Sequence, residues 1–520
     1  MLTHQLIQFF ARSFPDELML AEEDRSFSFS SGQTYINRIH NLLHARGLSA
    51  GDRVAILGEN SADHIMLLFA AGQLGIVLVP LNFRLAIDEL EYIIEDAGTS
   101  LLLVTDPDSL KKAEKLASRV ERIEIYSNFE SEHQNWLDSI DSCDVSPADV
   151  ADSPTANDAI MQLYTSGTTG RPKGVILTHR NLLSLSLQNV AGQLNKPGCG
   201  SRDLIIAPLF HVGGLATAVI ALLAGGGVVL HRAFDPDAVA DTLEHEGITA
   251  VFMVPLMIQA LIHGVSDIRQ RDFSGLKRIT YGASPISESL LREALSVFDC
   301  EFVQYFGQTE TCGGVLSLAW PDHQKALSGR PELLRSCGRS TAGVNLKVCD
   351  EDGNELPDGE TGEFVVKSGT NMVSYWQLPH ETQKTLKDGW VYTGDAGYVD
   401  EDGYAFLRDR IKDMVVTGGE NVYPVEVESV LSGHPSILEV AVIGVPDEKY
   451  GEALLAIVAL KQDAALTADE LLEFSREKIA GYKIPRKLEI VDALPRNASG
   501  KVLKNVLREP YWARKDRGIG

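Results

Sequence analysis

Residues 164–174 read YTSGTTGRPKG, a loop with three glycines, four Ser or Thr hydroxyls and a lysine near its end. Glycine lets backbone N–H groups approach a ligand closely and point the same way, and the hydroxyls add short donors. Lys173 adds a mobile positive charge. These residue types at this spacing indicate a cradle for phosphate oxygens, although a long surface turn could have the same composition.

The order of residues in this loop differs from the Walker A motif. That motif requires GxxxxGK followed by Ser or Thr and then a helix. Here Lys173 follows Pro172 and precedes Gly174, and the apolar strand pattern GVILT comes next. Because AIMQLY before the loop is also a strand pattern, the loop is predicted to join two strands, and a kinase-like function is disfavoured.

Alternating helix and strand patterns surround the loop and must position it. The first part of the chain alternates amphipathic helices, such as TYINRIHNLLHARG at 34–47, with apolar strands such as RVAILG at 53–58. The same alternation resumes after the loop, from DLIIAPL at 203–209 to EFVQYFG at 301–307. Parallel strands with crossover helices are the usual result of such a pattern. We therefore predict an α/β fold in which two α/β layers flank the loop.

The pattern changes twice towards the C-terminus. From about 335 to 410, short strands joined by Asp-Gly and Asn/Pro turns are typical of antiparallel hairpins and predict a small β-barrel subdomain. After DRIKD at 409–413, helix and strand patterns predict a compact α+β domain. We therefore expect a large N-terminal domain over residues 1–411 and a small C-terminal domain over 412–520.

Length and charge exclude several classes of function. A chain of 520 residues exceeds what one hydrophobic core normally supports, so at least two domains are expected. Its formal charge of −25 argues against non-specific binding to nucleic acid or anionic membrane, so a small-molecule partner is expected. Residues 213–230 carry no charge, but their glycines predict a buried helix followed by a strand, and no integral membrane segment is expected.

Cysteine and histidine spacing gives further expectations. The six cysteines form no CxxC pair and no metal-ligand spacing, which predicts free thiols in a reducing compartment. The first residues, MLTHQLIQFFARSFPDE, lack the basic and apolar regions of a signal peptide, so a cytoplasmic location is expected. His40 and His44 have a spacing that can bind a metal, but no third ligand is indicated. We expect both on a solvated helix face and predict no zinc site.

Seven motifs occur in the order that one superfamily shows. The loop as a whole resembles the signature loop of the adenylate-forming superfamily, which includes acyl-CoA synthetases, peptide synthetase adenylation domains and firefly luciferase. Six further motifs extend the resemblance over nearly the whole chain: PLFHVGG (208–214), YGASPI (281–286), YFGQTE (305–310), WVYTGD (390–395), DRIKDMVVTGGENVYPVEVE (409–428) and PRNASGK (495–501). The GGENVYPVEVE segment is most similar to the acyl-CoA synthetase branch.

The resemblance implies a two-step reaction. The carboxylate of an acid attacks the α-phosphorus of ATP, pyrophosphate leaves, and the acyl group of the acyl-adenylate then passes to CoA with release of AMP. A free carboxylate is a poor acyl donor because its leaving group would be oxide, whereas AMP leaves readily. Donors and cations placed where charge develops are the main catalytic means in such transfers.

The resemblance also implies an ATP site. In it, the loop holds the β and γ phosphates, residues 282–284 lie along the adenine, and Asp395 and Arg410 contact the ribose. Phe306 stands where the superfamily commonly has Tyr, so adenine stacking is expected without a phenol hydrogen bond. The implied ATP- and AMP-binding residues are Thr165, Ser166, Gly167, Thr168, Thr169, Gly170, Lys173, Gly282, Ala283, Ser284, Tyr305, Phe306, Gly307, Thr309, Asp395 and Arg410.

Three residues are implied as catalytic by the same resemblance. Glu310 matches a magnesium ligand, with Thr165 as a second metal-binding residue, and Thr309 matches a contact to the α-phosphate. Lys501 matches the lysine that bridges the substrate carboxylate and the α-phosphate, and the preceding Asn-Ala-Ser-Gly run is turn-forming. Taken alone, an isolated Glu or Lys is more often a solvated surface charge.

A mobile C-terminal domain is also implied. Lys412 falls at the hinge position of the superfamily. Rotation there would withdraw Lys501 and bring the GGENVYP segment to the acyl-adenylate, opening a route for a thiol. The CoA-binding residues implied by this segment are Gly418, Gly419, Glu420 and Asn421.

The predicted acid pocket carries no charge. His211 matches a gating position beside the acid, and the Asp with which peptide synthetase adenylation domains bind an ammonium is absent. An apolar lining suits an apolar tail, so a medium- or long-chain fatty acid is favoured over an aryl or hydroxycinnamic acid such as ferulate or coumarate. The expected lining residues are His211, Val212, Gly213, Phe252, Tyr281, Cys312, Gly313 and Gly314.

Three other functions remain as alternatives. They are luciferase-like oxidation of the adenylate, a non-enzymatic sensor of ATP or acyl-AMP, and a module that loads another thiol acceptor such as a carrier protein. Retention of Lys501 and Glu310 disfavours the sensor, and the thiol segment favours CoA. The expected cofactor is Mg²⁺, the partners are ATP, CoA and a hydrophobic acid but no nucleic acid, and the protein is expected as a monomer or homodimer.

Overall fold

The computed structural model describes most of the chain. The described residues are 1–23, 25–120, 123–129, 131–150, 153–165, 171–191, 200–282, 286, 288–410, 413–417, 420–447, 450–476, 478–496 and 502–512. The side chains at positions 409, 410, 416, 420, 421 and 451 lie outside the description as well.

The first part of the chain alternates helices and strands as its hydrophobic pattern predicts. The helix predicted at 34–47 begins earlier, at Phe29, because the Ser28 hydroxyl caps it by accepting a hydrogen bond from the Ser31 N–H. The elements are α1 (Thr3–Ser13), β1 (Leu18–Glu22), β2 (Arg25–Ser28), α2 (Phe29–Ala45), β3 (Arg53–Leu57), α3 (Ala62–Leu74), β4 (Val77–Leu81), α4 (Ile87–Ala97), β5 (Leu101–Val104), α5 (Pro107–Ala117), β6 (Glu124–Ser127), β7 (Gln134–Asn135) and α6 (Trp136–Asp141).

The alternation continues after the glycine-rich loop. The uncharged stretch 213–230 forms most of a buried helix and then a strand, as predicted. The elements are β8 (Ala159–Thr165), β9 (Lys173–Thr178), α7 (His179–Ala191), β10 (Arg202–Ile205), α8 (Val212–Leu223), β11 (Gly227–Leu230), α9 (Pro236–His245), β12 (Ala250–Met253), α10 (Pro255–Gly264), β13 (Arg278–Gly282), α11 (Glu288–Phe298), β14 (Glu301–Gln308), β15 (Gly313–Leu318), α12 (Trp320–Leu327) and β16 (Arg339–Ser340).

Short strands dominate the next segment, and a separate set of elements follows it. The elements up to residue 410 are β17 (Asn345–Cys349), β18 (Gly362–Lys367), β19 (Ser374–Tyr375), α13 (Pro379–Thr385), β20 (Leu386–Lys387), β21 (Trp390–Val399) and β22 (Ala405–Arg410). The last elements are β23 (Val415–Thr417), β24 (Glu420–Val422), α14 (Pro424–Leu431), β25 (Ile437–Asp447), β26 (Gly451–Leu460), α15 (Ala468–Arg476), β27 (Lys487–Ile490) and α16 (Lys504–Trp512).

Two large mixed sheets confirm the predicted α/β fold class. One has eight strands in the order β19-β9-β8-β4-β3-β5-β6-β7, and the other has nine in the order β16-β15-β14-β13-β12-β10-β11-β1-β2. The run from β8 to β7 is parallel, as is the run from β14 to β1, and the outer pairs are antiparallel. Parallel strands joined by helices are the arrangement that the alternating pattern predicts.

Helices α3 and α8 lie between the two sheets. All residues of α3 are buried, which fits a mostly apolar helix whose Asp63 carboxylate accepts a hydrogen bond from Arg25. The largest core cluster joins side chains from both sheets through these helices, for example Ile56 of β3, Leu67 of α3, Ala218 of α8 and Val228 of β11. This shared core fixes the strand ends of the two sheets relative to one another.

The β subdomain predicted near 335–410 is a half-barrel. Its strands pair antiparallel in the order β17-β18-β21, and β20 and β22 share the other side of β21. Among the described pairs, none joins β17 to β22, so the sheet stays open. Its core side chains include Val348, Phe364 and Val366, and they pack with Val315 and Leu316 of β15.

The elements after residue 413 build a sheet of their own. Its order is β24-β23-β26-β25, with β27 beside β26. This C-terminal unit contacts the half-barrel through Arg408, which lies 3.9 Å from Glu426 of α14. The predicted boundary at 411/412 falls on residues outside the described set. None of the described helices has the length and apolar character needed to cross a membrane.

Candidate active site

Loops from both large sheets, the half-barrel and the C-terminal unit line one cavity of 2880 Å³. Its wall brings together most of the described residues that the sequence assigns to ATP, to magnesium and to the acid. They are Thr165, Lys173, His211, Val212, Gly213, Phe252, Tyr305, Phe306, Gly307, Thr309, Glu310, Gly313, Gly314 and Asp395.

Some predicted site residues lie outside the described residues. They are Ser166, Gly167, Thr168, Thr169 and Gly170 of the loop, Ala283 and Ser284 of the adenine segment, the hinge residue Lys412, Gly418 and Gly419 of the thiol segment, and Lys501. For Arg410, Glu420 and Asn421 the backbone is described and the side chain is not.

The predicted phosphate loop begins and ends at one point of the cavity wall. It connects β8 to β9, which pair antiparallel with Thr165 opposite Lys173, as the two flanking strand patterns predict. Tyr92 fixes the returning segment: its hydroxyl donates to the Pro172 carbonyl at 3.4 Å, and the Arg171 guanidinium carbon lies 5.1 Å from its ring centroid. The loop therefore joins two anchored strand ends.

The ammonium of Lys173 is held from two sides. It forms an ion pair with the Glu381 carboxylate and lies 5.1 Å from the ring centroid of Tyr375. Hydrogen bonds from Lys173 and from Lys384 lower the pKa of Glu381 to about 2, so this carboxylate is charged at neutral pH. The Lys173 side chain is only 11% exposed and lines the cavity, which places a fixed positive charge at the end of the loop.

Glu310 lies in a short 3-10 turn that directly follows β14. The Tyr375 hydroxyl donates to Glu310 Oε1 at 2.7 Å, and the Met372 N–H donates to the Glu310 carbonyl at 2.8 Å. Burial, and then the charge of Glu310, raise the pKa of Tyr375, so its hydroxyl keeps its proton and donates. Among described residues, none donates to the other Glu310 carboxylate oxygen, which suits it to a ligand in the cavity.

Two glycines bring Thr309 and Glu310 to the wall. β14 and β15 pair with an irregularity between Phe306 and Gly307, and a Cβ at Gly307 would lie 1.9 Å from the Gly313 carbonyl oxygen. Gly313 has a φ of 118°, a conformation that favours glycine. This close approach of two backbones cannot form with larger residues at position 307.

The residues assigned to ribose and adenine lie at the half-barrel side of the cavity. Asp395 of β21 is 4% exposed and is the cross-strand partner of Arg410 in β22. Phe306 packs edge-on against Phe364, with ring centroids 6.1 Å apart. Glu363 also lines the cavity and accepts a hydrogen bond from the Gly394 N–H at 2.8 Å, while burial raises its pKa.

His211 begins the acid side of the cavity, at the start of α8. Burial, and then the charge of Arg84, lower the pKa of His211 to about 4, so the imidazole is neutral at neutral pH. Its Nε2 is buried and has no hydrogen-bond partner in the described part of the chain. Leu185, Ala216 and Ile220 give the nearby wall an apolar character. Arg84 lines the cavity too, so a cation is present that the sequence did not indicate.

The Tyr305 hydroxyl adds a polar group to this apolar wall. It donates to Asn189 Oδ1 at 2.8 Å, and Asn189 Nδ2 donates to the Leu185 carbonyl at 2.9 Å. The ring of Tyr305 lies against Gly314, where a Cβ would come within 2.7 Å of Tyr305 Cδ1. The side chain assigned to ATP from the sequence therefore borders the acid pocket at Gly314.

Tyr281 and Cys312 do not line the cavity, which corrects the prediction. Tyr281 is fully buried, and its hydroxyl is hydrogen-bonded to His323 Nε2 at 2.9 Å. Side chains alternate along β13, so Thr280 lines the cavity while Tyr281 points into the core. Cys312 is also fully buried, and burial raises the pKa of its thiol to about 12. Gly282, at the end of β13, is likewise absent from the wall.

The C-terminal unit closes the remaining side of the cavity. The described residues that flank Lys501 in the sequence, Arg496 and Val502, pair in an antiparallel bridge, and both line the cavity. Lys504 and Arg508 of α16 line it as well. The described residues on either side of positions 497–501 are therefore at the site.

Comparison with known proteins decides the family. The profile of the AMP-binding enzyme family matches residues 7–376, and that of the AMP-binding enzyme C-terminal domain matches residues 426–501. The chain belongs to the AMP-binding enzyme family. Together with the ligases described next, this membership confirms the resemblance to the adenylate-forming superfamily and to its acid–thiol ligases.

Individual relatives of this AMP-binding enzyme match over almost their whole length. This chain is 40% identical over 518 residues to the fatty acid–[acyl-carrier-protein] ligase ScoC of Streptomyces coeruleorubidus, and the alignment covers 99% of this chain and 97% of the relative. It is 38% identical over 503 residues to a feruloyl-CoA synthase of an Amycolatopsis species, covering 96% and 97%. The ATP-bound structure of MatB from Rhodopseudomonas palustris superposes with a TM-score of 0.88 at 31% identity, covering 98% and 99%.

Sequence reasoning missed several residues of this AMP-binding enzyme that border the site. Tyr375 contacts the predicted magnesium ligand Glu310, and Glu381 contacts Lys173. Both occur in the segment SYWQLPHET, where Tyr, Pro and Glu interrupt the half-barrel strands. That interruption of the strand pattern is the sequence feature that could have indicated Tyr375 and Glu381. Asn189 lies on α7 and carries no motif, so only the fold brings it to Tyr305.

Two smaller expectations have mixed outcomes. His40 is 2% exposed and lies 3.1 Å from the Ala148 carbonyl through Nε2, so its predicted place on a solvated face is wrong. The five described cysteines are free, as expected, and Cys199 lies outside the description. Among described residues, no cluster of three or more His, Cys, Asp or Glu could hold a metal by itself.

Proposed function

We propose that this AMP-binding enzyme is an ATP-dependent acyl-CoA synthetase for a hydrophobic carboxylic acid. A carboxylate oxygen would bond the α-phosphorus of ATP while the bond from that phosphorus to pyrophosphate breaks. The CoA sulfur would then bond the acyl carbon, lose its proton and displace AMP. The single observation that carries the proposal is one cavity in which Lys173, Glu310 and Asp395 lie with the apolar residues Val212 and Phe252.

The site residues suit magnesium brought in with ATP. Magnesium in nucleotide sites is bound through one or two carboxylates together with phosphate oxygens. Glu310 offers one carboxylate at the wall, already oriented by Tyr375, and this donor set fits the ion. We propose the Thr165 hydroxyl, at the end of β8, as a second group near the ion, and Thr309 as a contact to the α-phosphate. The bound ion would neutralise part of the phosphate charge.

The remaining nucleotide and thiol roles are proposals that rest on the superfamily motifs. Lys501 would bridge the acid and the α-phosphate, and its flanking residues Arg496 and Val502 lie at the cavity, which supports this role. The domain boundary at 411/412, the hinge at Lys412, and CoA binding by residues 418–421 complete the proposed cycle. The enzyme is further proposed to act in the cytoplasm as a monomer or homodimer.

A medium- or long-chain fatty acid is the first candidate substrate. The wall around α8 is apolar, and the neutral His211 adds no charge that would repel or bind a tail. Each buried methylene contributes about 0.8 kcal/mol to binding, so this wall favours alkyl chains. The 40% identity to ScoC, named as a fatty acid ligase for an acyl-carrier protein, supports the acid and leaves a carrier thiol as an alternative acceptor.

An aryl acid is the second candidate, and one observation favours it. The Tyr305 hydroxyl and Asn189 form a hydrogen-bonded pair on the wall beside Gly314. Such a pair could exchange its internal hydrogen bond for one to a phenol hydroxyl at the far end of a cinnamic acid. An alkyl tail would gain nothing from it. The 38% identity to a feruloyl-CoA synthase supports this candidate.

A panel of acids tests the reaction and the substrate together. Fatty acids of graded length, benzoic acids, hydroxycinnamic acids and one dicarboxylic acid are offered with ATP and Mg²⁺, with and without CoA. AMP, pyrophosphate and thioester are then quantified. The proposal requires AMP and thioester in equal amounts. ADP as product would refute it, AMP without thioester would point to an acceptor other than CoA, and a preference for the dicarboxylic acid would point to Arg84.

The catalytic lysine is tested within the same assay. Lys501→Ala should slow acid-dependent ATP–pyrophosphate exchange by about 2 to 4 kcal/mol in barrier, the cost of losing one charge-stabilising donor. Transfer from a supplied acyl-adenylate to CoA should be nearly unaffected. Lys487→Ala, at an exposed position on β27, is the matched control. Exchange as fast in the Lys501 variant as in the control would remove the proposed role.

A further inference from the structure

One short segment touches two charged groups of the proposed function, the magnesium ligand Glu310 and the phosphate-binding Lys173. The segment 374–385 comprises β19 and α13. From β19, the Tyr375 hydroxyl donates to Glu310 Oε1 at 2.7 Å. From α13, the Glu381 carboxylate pairs with the Lys173 ammonium, which also lies over the Tyr375 ring.

The segment itself is firmly anchored to the strand that ends the phosphate loop. β19 pairs antiparallel with β9, and Tyr375 lies opposite Val175. The Trp376 N–H donates to the Gly174 carbonyl at 2.7 Å, and its indole N–H donates to the Asp96 carbonyl at 2.8 Å. The Arg53 guanidinium carbon lies 3.5 Å from the Trp376 ring centroid. Tyr375 therefore has little freedom to move, and its contacts restrict the positions of Glu310 and Lys173.

The two contacts differ in charge in a way that suits their ligands. Tyr375 is a neutral donor, so it orients Glu310 without cancelling the negative charge that a cation needs. Glu381 pairs with Lys173 and also with Lys384, whose ammonium lies 3.1 Å away. The two ammonium groups and one carboxylate sum to one positive charge, which is retained for phosphate oxygens. Both Lys173 and Lys384 line the cavity.

We propose that Tyr375 and Glu381 are positioning residues for ATP activation: Tyr375 orients Glu310 towards the metal–phosphate complex, and Glu381 holds Lys173 against the phosphates. The inference rests on the proposed function for the identity of the nucleotide and ion. It concerns residues outside the motifs that imply the site. A partner that orients a metal-binding side chain commonly affects metal affinity or activity by about 10- to 100-fold.

The first test separates the hydrogen bond of Tyr375 from its ring. Tyr375→Phe removes only the hydroxyl and keeps the ring beneath Lys173. Calorimetric titration of ATP is performed with and without Mg²⁺. The variant should bind metal-free ATP as the wild type does and lose about 10-fold of the gain in affinity that Mg²⁺ provides. An unchanged magnesium gain, or an equal loss of metal-free affinity, would overturn the role of Tyr375.

A matched control is available at a tyrosine–carboxylate pair that does not line the cavity. The Tyr404 hydroxyl donates to Asp322 Oδ1 at the same 2.7 Å, and neither residue lines the cavity. Tyr404→Phe therefore deletes an equivalent hydrogen bond between a tyrosine and a carboxylate. Its magnesium gain should equal that of the wild type. A loss equal to that of Tyr375→Phe would mean that a general structural effect explains both variants.

The second test uses the kinetics of acid-dependent ATP–pyrophosphate exchange. Glu381→Gln keeps the shape and removes the charge that holds Lys173, so kcat should fall about 10-fold without an increase in the KM for ATP. Glu355→Gln, which breaks the ion pair with Lys347 at 2.7 Å outside the cavity, is the control. A higher KM with unchanged kcat would overturn the role of Glu381.

The design distinguishes failure of this inference from failure of the proposed function. Wild-type protein that binds ATP with a magnesium gain but forms no acyl-adenylate or thioester would refute the proposed reaction, while the Tyr375 comparison would still be decided by binding. Wild-type protein that performs the reaction, with Tyr375→Phe and Glu381→Gln indistinguishable from their controls, would refute the inference alone.

Discussion

Acid should weaken the fold through His323, which anchors Tyr281 behind the cavity wall. His323 is fully buried, its Nε2 is 2.9 Å from the Tyr281 hydroxyl, and its Nδ1 is 3.0 Å from the Ala319 carbonyl. A neutral ring can donate to the carbonyl and accept from the hydroxyl, whereas a protonated ring has no acceptor left. Burial also disfavours the charged ring and lowers the pKa of His323 to about 4.

The sign and size of the effect follow from this pKa. The folded pKa lies below the unfolded value of 6.5, so the unfolded chain takes up the proton first as the pH falls. The stabilisation is complete above pH 6.5 and is lost progressively towards about pH 4. The full interval corresponds to about 3 kcal/mol, of which about 2 kcal/mol is lost between pH 7.5 and pH 5.0.

The comparison of wild type with His323→Gln isolates this contribution. Urea unfolding is followed by tryptophan fluorescence at pH 7.5, 6.0 and 5.0, and Trp320 stacks 6.3 Å from His323. The variant should be less stable than the wild type at pH 7.5. The difference in free energy of unfolding between the two proteins should shrink by about 2 kcal/mol at pH 5.0, because only the wild type loses the stabilisation that depends on the neutral His323 ring. Other buried histidines, such as His64, are present in both proteins and cancel.

A constant gap across the pH range would refute the reasoning. Tyr281→Phe separates the hydrogen bond from the titration, because it removes the hydroxyl and keeps the histidine. That variant should lose about 1 to 2 kcal/mol at pH 7.5 and retain most of the acid sensitivity of the wild type. If Tyr281→Phe and His323→Gln gave the same pH profile, the acid sensitivity would not originate in the ring of His323.

Three further outcomes are expected. Gly307→Ala should lower the free energy of unfolding by about 1 to 3 kcal/mol and abolish pyrophosphate exchange, since its Cβ would lie 1.9 Å from the Gly313 oxygen; thermal unfolding and exchange assays check this. The buried Cys312 thiol, whose pKa is raised to about 12, should resist iodoacetamide in the native protein and react after unfolding, as peptide mass spectrometry would show. If the Tyr305–Asn189 pair binds the phenol, Tyr305→Phe should lower kcat/KM about 10-fold for a hydroxycinnamic acid and leave it unchanged for a fatty acid. Equal effects on both acids would exclude phenol binding by this pair.

The fold was predictable because its elements have strong local signals. The apolar strands and amphipathic helices around the loop appear close to their predicted places, and the glycine run at 225–227 correctly divides α8 from β11. The start of α2 was missed because a Ser28 cap, and not hydrophobic periodicity, determines it. The turn residues predicted the antiparallel strands of the β subdomain, but they do not report whether the first and last strands pair, and the described strands leave the half-barrel open.

Site residues were predictable only where they belong to a sequence motif. Lys173, Glu310 and Asp395 were found through their motifs and do line one cavity. Tyr281 was placed on the wall because its neighbours belong there, but strand alternation turns it into the core. Asn189 lies on a helix without a motif, and its place at Tyr305 depends on how α7 packs against β14 and β15, which sequence spacing does not encode.

The chemistry of the anchors explains why a tyrosine and a glutamate hold the two charged residues. An arginine or lysine beside Glu310 would form a stronger bond, but it would also cancel the charge that attracts a cation and lower the affinity of the carboxylate for the ion. A buried tyrosine with a raised pKa gives direction without charge. Lys173 needs the opposite, because an unpaired ammonium with 11% exposure would be costly to bury before ATP arrives. Pairing with Glu381 offsets that cost, and in the proposed role the second cation, Lys384, would supply the positive charge that the phosphates require.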